Sequence, residues 1–183
     1  MRRVPLTFLL LALAVAPAFA KENAKEERAR LEVQRVMARY LDARFRGAPW
    51  KEFSDAVLWT AEQEPACQQV ARSFEPGPVR FAERDRALAS VTFYQLGTYC
   101  PAEQTFRPAP RLDNAVFQLR KRSIVWLVEK TNRPGGQLDW KVLRDRLKQQ
   151  LAGPALPTAE TARIANALSV LEKTASAIGR TGN

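Results

Sequence analysis

The hydrophobic period of this chain changes twice, and those changes restrict its fold more than any other feature. Over residues 25–45, Leu31, Val33, Val36, Met37, Tyr40, Leu41 and Phe45 recur at helical spacing. Residues three, four and seven apart share one side of a helix, so this stripe predicts an amphipathic helix. Its other side carries Glu26, Arg30, Arg35, Arg39 and Arg44, an ordinary solvated face. Gly47 stops the helix, and Pro49 suits the first turn of a second one with Trp50, Phe53, Val57 and Leu58 as its stripe. After Pro65 the period drops towards two. Residues 69–74 read as a strand closed by a Pro76-Gly77-Pro78 turn. Residues 87–97 read as a clearer strand, with Ala89, Val91 and Phe93 on one face and Leu88, Ser90, Thr92 and Tyr94 on the other.

Residues 98–114 contain Pro101, Pro108 and Pro110 and read as a long loop pinned by Cys100. Residues 115–132 read as one long strand whose centre is nearly continuous in apolar residues, as expected when both faces are covered. Arg133-Pro134-Gly135-Gly136 is a hairpin turn, and residues 138–143 are the returning strand. Residues 145–151 either extend that strand or form a short helix. Gly153, Pro154 and Pro157 interrupt the chain before a last helix, with Thr158 as N-cap and Ile164, Leu168, Leu171, Ala175 and Ile178 in phase. This order implies the α+β class: a curved antiparallel sheet, N-terminal helices packed on its concave face, and a C-terminal helix. The boundaries expected are residues 21–152 for the cone-shaped domain and 153–183 for a helical extension.

The first 20 residues stand apart. Met1-Arg2-Arg3 is basic, an apolar run of ten residues begins at Leu6 and is broken only by Thr7, and Ala18-Phe19-Ala20 ends the segment. Basic start, short apolar middle and an A-x-A end are the parts of a secretory signal peptide, here of bacterial style, cleaved after Ala20. The run is shorter than the roughly 20 residues of a bilayer crossing. The expected location is the periplasm or the cell exterior, and the expected mature product is not an integral membrane protein. In an oxidising compartment an even count of cysteines argues for one disulfide, Cys67–Cys100, closing a loop of roughly 34 residues. The alternative is a pair of buried thiols.

Histidine is absent from all 183 residues. That removes His-based triads, imidazole general bases, a proximal haem His and Cys/His zinc clusters, and neither a metal nor a cofactor is expected.

Several segments together resemble the nuclear-transport-factor-2-like superfamily, whose α+β cone includes ketosteroid isomerase and scytalone dehydratase. They are residues 36–43 followed by Gly47-Ala48-Pro49-Trp50, the strand over residues 89–97, and Ile124-Val125-Trp126-Leu127-Val128-Glu129-Lys130 leading to Asp139-Trp140-Lys141-Val142. The match spans roughly residues 31–143 as a pattern of element order, with no invariant motif. It implies a cone with a pocket between helices and sheet, and no catalytic residue carries over. The superfamily hosts enzymes, carriers and binding modules alike.

A pocket of that kind would be lined by Trp59, Phe93, Tyr94, Phe117 and Trp126, whose aromatic walls suit an apolar or ring-shaped ligand. The same residues would equally serve as plain core. The charge balance is strongly basic, with 29 Lys and Arg against 19 Asp and Glu. Arg107, Arg111, Arg120 and Arg122 are candidates for a patch that meets an anionic envelope component; compositional drift towards arginine produces the same count. Nucleic acid is not expected as a partner outside the cytosol. The expected function is a non-catalytic binding module for an apolar small molecule, an anionic envelope component or a partner protein, with a homodimer through the convex face as a further reading. The alternative is a His-free isomerase or dehydratase that uses Asp55 or Glu62 as base and Tyr94 or Tyr99 as phenol donor.

Overall fold

The structure, a computed structural model, describes residues 7–60, 65–132, 137–154 and 156–180. It is an α+β fold with a curled, half-barrel sheet. Helix α1 (Thr7–Phe45) comes first, followed by strands β1 (Gln68–Glu83), β2 (Arg86–Cys100), β3 (Thr105–Arg122), β4 (Val125–Thr131) and β5 (Gln137–Asp139). Helices α2 (Trp140–Ala152) and α3 (Thr158–Arg180) complete it. The sheet order is β4-β3-β2-β1-β5, antiparallel except for β5, which runs parallel to β1.

The apolar pattern explains how the layers meet. Val33, Met37, Tyr40 and Leu41 of α1 are buried against Ala87, Ala89, Val91 and Phe93 of β2 and Ala115, Phe117 and Leu119 of β3. Spacing of four, three and one keeps the helical residues on one stripe, while spacing of two keeps the strand residues on one face. This core lies on the concave face. A second core brings α2 and α3 (Leu143, Leu147, Ile164, Leu171) against Val70, Leu96, Tyr99, Phe106 and Leu138. It sits where β2 turns into β3.

The sheet is longer than the sequence pattern predicts, and each difference has a local cause. The expected turn at Pro76-Gly77-Pro78 is a stretch of β1, with a register shift between Pro76 and Val79. Beyond Ala71, β1 has lost its β5 neighbour and is an edge, where proline costs no ladder hydrogen bond. The expected loop at residues 98–114 is the end of β2, a turn at residues 101–104 and the first half of β3. Pro108 and Pro110 fit there because the β2–β3 ladder is irregular: Gln95 faces Arg111 but Gly97 faces Pro108. A Cβ on Gly97 would lie 2.2 Å from the Arg107 carbonyl oxygen, so glycine is required at this bulge.

The long strand expected over residues 115–132 is two strands, broken where Ser123 takes φ 56°. The expected second helix is only two single 3-10 turns, Trp50–Glu52 and Ser54–Ala56, with Phe53 at φ −134° between them. The expected returning strand does not pair with β4. Gln137–Asp139 crosses to the opposite edge and joins β1 in parallel, and the Asp139 carboxylate caps α2 by accepting from the Lys141 amide at 2.6 Å. The hairpin turn expected at residues 133–136 lies outside the described residues. So do Met1 to Leu6 of the expected signal; α1 runs without a break through the expected cleavage point after Ala20. No helix among the described residues is long and apolar enough to cross a membrane.

Cys67 and Cys100 are joined by a disulfide. It extends the β1–β2 ladder by one step beyond the Gln68–Tyr99 pair.

Candidate functional site

The aromatic residues expected to line a pocket are distributed over three environments. Phe93 and Phe117 lie on the concave face beneath α1, both buried. The Tyr40 ring meets Phe117, Phe53 and Trp59 edge-on at centroid distances of 5.9, 5.9 and 6.1 Å. The void among Tyr40, Phe45, Phe93, Phe117 and their neighbours measures only about 10 Å³, room for about one water. Trp126 is buried against Phe81, with the Lys121 ammonium 5.6 Å from its ring. Tyr94 follows Phe93 in β2 and so faces the other way, where its hydroxyl donates to Glu75 Oε1 at 2.9 Å.

The groups of the enzyme reading are equally dispersed. Asp55 is exposed and paired with Arg39 at 2.7 Å. Tyr99 belongs to the second core, and Tyr94 to the outer face. Glu62 lies outside the described residues. Among the described residues there is no group of three side chains suited to hold a metal.

The four arginines of the expected patch sit at two ends of one strand. Arg107, paired with Glu103 at 2.6 Å, and the exposed Arg111 are near the start of β3. Arg120, shared between Glu129 at 3.4 Å and Asp85 at 3.9 Å, and the exposed Arg122 are at its end. Arg111 and Arg120 are about 30 Å apart at roughly 3.3 Å per residue, so the four do not form one patch.

A cleft that the sequence did not point to forms where α1 ends. It encloses about 340 Å³, within the roughly 300–1,000 Å³ range of small-molecule sites. Gly47, at φ 65°, turns the chain out of α1 while the Ala48 amide donates to the Ala43 carbonyl, a Schellman-type closure. That turn delivers Pro49 and Trp50 as one apolar wall. Opposite, the cap at Asp139 sets the start of α2 and places Arg146 two turns along, where its guanidinium donates to the Gly47 carbonyl at 3.2 Å. A Cβ on Gly47 would crowd both this guanidinium and Leu138. Arg44, stacked over the Phe53 ring at 5.2 Å, and Gln68 complete the polar side.

Gln137 forms part of the wall of this cleft and of the small void behind it. It is 4% exposed, and neither its amide nitrogen nor its amide oxygen has a hydrogen-bond partner. An unmet buried amide of this kind costs on the order of 1–3 kcal/mol. No acidic side chain lines the cleft among the described residues. Two guanidinium groups and an unmet amide line one side of the cleft, and Trp50, Pro49 and Leu138 offer an apolar surface beside them. A groove of about 490 Å³ between α2 and α3 shares Arg146 but has no unmet buried amide.

All three tyrosines are held above their ordinary value of 10.0. Burial does this for Tyr40, partly offset by the Arg44 charge, and burial alone for Tyr99. For Tyr94 the cause is the hydrogen bond and negative charge of Glu75. A folded-state value above the unfolded one means the contribution is complete below pH 10.0 and is lost as pH rises beyond it. Unfolding free energy should therefore fall as pH climbs through 10.0, and Tyr40→Phe should flatten that fall. Denaturation midpoints across this range are the check; an identical alkaline slope in Tyr40→Phe would show that Tyr40 has no part in it.

No family model, no curated protein and no solved structure matches this chain.

Proposed function

We propose that this protein is an exported, non-catalytic binding module that takes a small molecule with an anionic group and an apolar body in the cleft between the end of α1 and α2. The buried, unpartnered Gln137 amide carries this reading. A folded chain leaves such a group unmet at a cost, and a ligand head group that reaches it offsets that cost. Arg44 and Arg146 supply charge-assisted donors beside it, and Trp50 with Leu138 the apolar surface. The Cys67–Cys100 disulfide is compatible with an oxidising compartment, which supports the export half of the proposal. The cleft lining holds no carboxylate and no nucleophile among the described residues, which favours binding over catalysis.

Calorimetric titration with octanoate and with octanol tests the reading, because the two share a chain and differ in charge. Octanoate should bind at least about tenfold tighter, a difference of about 1.4 kcal/mol. Arg146→Glu should abolish that preference while leaving the fold intact, since the Arg146 side chain is exposed and bonds only to the Gly47 carbonyl. Equal affinity for the two probes, or an Arg146→Glu variant that still prefers octanoate, would refute a charge-selecting cleft.

A further inference from the structure

We propose that the tip of the β3–β4 hairpin is a membrane-docking finger, which places Ile124 and Val125 in the head-group region of an anionic lipid surface with Arg122 and Arg84 on its phosphates. This surface lies at the opposite end of β3 from the turn into β2 and does not depend on the cleft. Ile124 is 83% exposed and its neighbour Val125 is 49% exposed, two branched apolar side chains side by side in solvent.

The turn itself does not ask for them. Arg122 pairs with Val125, leaving Ser123-Ile124 as a two-residue connection with Ser123 at φ 56°. Such connections favour Gly or Asn at the positive φ and small polar residues around it. A β-branched isoleucine at the apex gains nothing from the fold and raises the risk of association, so its place there points outward.

The charge around the finger has the right sign. The β1–β2 turn lies at the same end of the sheet, since Arg86 faces Arg120 and the Lys121 amide donates to the Asp85 carbonyl at 2.7 Å. The carboxylates here are engaged: Glu83 with Arg86, Asp85 and Glu129 with Arg120, and Glu32 with Lys121. Arg84 and Arg122 are exposed and make no ion pair or side-chain hydrogen bond. An apolar tip with free cations beside it matches a bilayer surface, where apolar groups find the acyl boundary and guanidinium groups find phosphate. A protein partner is a poorer match, because a stable interface buries on the order of 800 Å² per side and two side chains on a convex tip fall far short of that.

Vesicle co-sedimentation of the full chain tests the finger, with equal parts phosphatidylglycerol and phosphatidylcholine against pure phosphatidylcholine. The double variant Ile124→Ser, Val125→Thr should lose about tenfold in binding to the anionic vesicles. Arg122→Glu should lose binding to the anionic vesicles only. Both should keep the parent's thermal midpoint, since the substituted side chains are exposed. The apolar N-terminal residues are the same in every variant, so differences report the tip alone. A site-specific reading comes from Ile124→Trp, which should add a blue-shifted emission quenched by brominated acyl chains. Binding that is salt-sensitive but indifferent to the Ile124 and Val125 changes, or a Trp at position 124 that stays in water, would overturn the proposal.

Discussion

Replacing Phe117 with Ala lowers the free energy of unfolding by about 3–5 kcal/mol, the range for deleting a buried phenylalanine ring. Phe117 is 4% exposed and lies opposite Ala89 on one side and Thr131 on the other. Its ring takes the edge of Tyr40, the same ring that meets Phe53 and Trp59. The void beside it is about 10 Å³, so the ring fills space that α1 and a rigid sheet cannot close by collapsing. Leu112 is the control: it is 63% exposed on the same strand, and Leu112→Ala should change stability by no more than about 0.5 kcal/mol. Urea denaturation of the two variants reads both values. A small loss at Phe117, restored by an added apolar ligand, would mean that the ring lines a binding pocket and is not core.

Removing the disulfide with Cys67→Ser and Cys100→Ser should cost about 3–4 kcal/mol on the chain-entropy account. Its partners are 33 residues apart in sequence and close the open end of the β1–β2 ribbon. The ribbon's other end is closed by the turn at residues 84–85, so the disulfide restricts the unfolded chain at the end that has no turn to close it. That end also carries Val70, Leu96 and Tyr99, against which α2 and α3 pack. Amide exchange should therefore accelerate first around residues 68–70 and 98–106 in the double variant. Equal denaturation midpoints for the oxidised and reduced protein would rule this role out.

Much of the fold was legible where a side chain's partners lie close along the chain. The stripe Val33, Met37, Tyr40, Leu41 is the buried face of α1, and the alternation Ala89, Val91, Phe93 is the buried face of β2. The last helix keeps Ile164, Leu171 and Ala175 inside, as its phase predicts. Pro76, Pro78, Pro108 and Pro110 are turn and loop signals in the sequence and lie within strands in the structure. Each is tolerated because the strand beside it is an edge or a bulge, and neither condition is visible without the neighbouring strand. Asp139 is the opposite case, a helix cap set among residues that read as strand.

The candidate site was much less legible. Arg44 reads as part of a solvated face, Trp50 as the stripe of a helix that does not form, and Gln137 carries no sequence signal at all. Arg146 was one of many cations in the later half of the chain. Gly47 reads as a helix stop and Pro49 as a first-turn proline, and the positive φ of Gly47 is the local feature that turns the chain towards the cleft.

The sequence by itself determined the α+β class, the two faces of α1 and of β2, and the pairing partners available to its only two cysteines. These follow from periodicity and count, which are properties of neighbours in the chain. Only the tertiary structure decided that Gln137–Asp139 leaves β4 for the far edge of the sheet and pairs with Gln69 to Ala71. That single crossing brings Gln137 and Arg146 to the end of α1, across some ninety residues of sequence, and buries an amide without a partner. Which strands pair is settled by the sum of long-range contacts against the cost of closing the loops between them, and no local pattern encodes that sum.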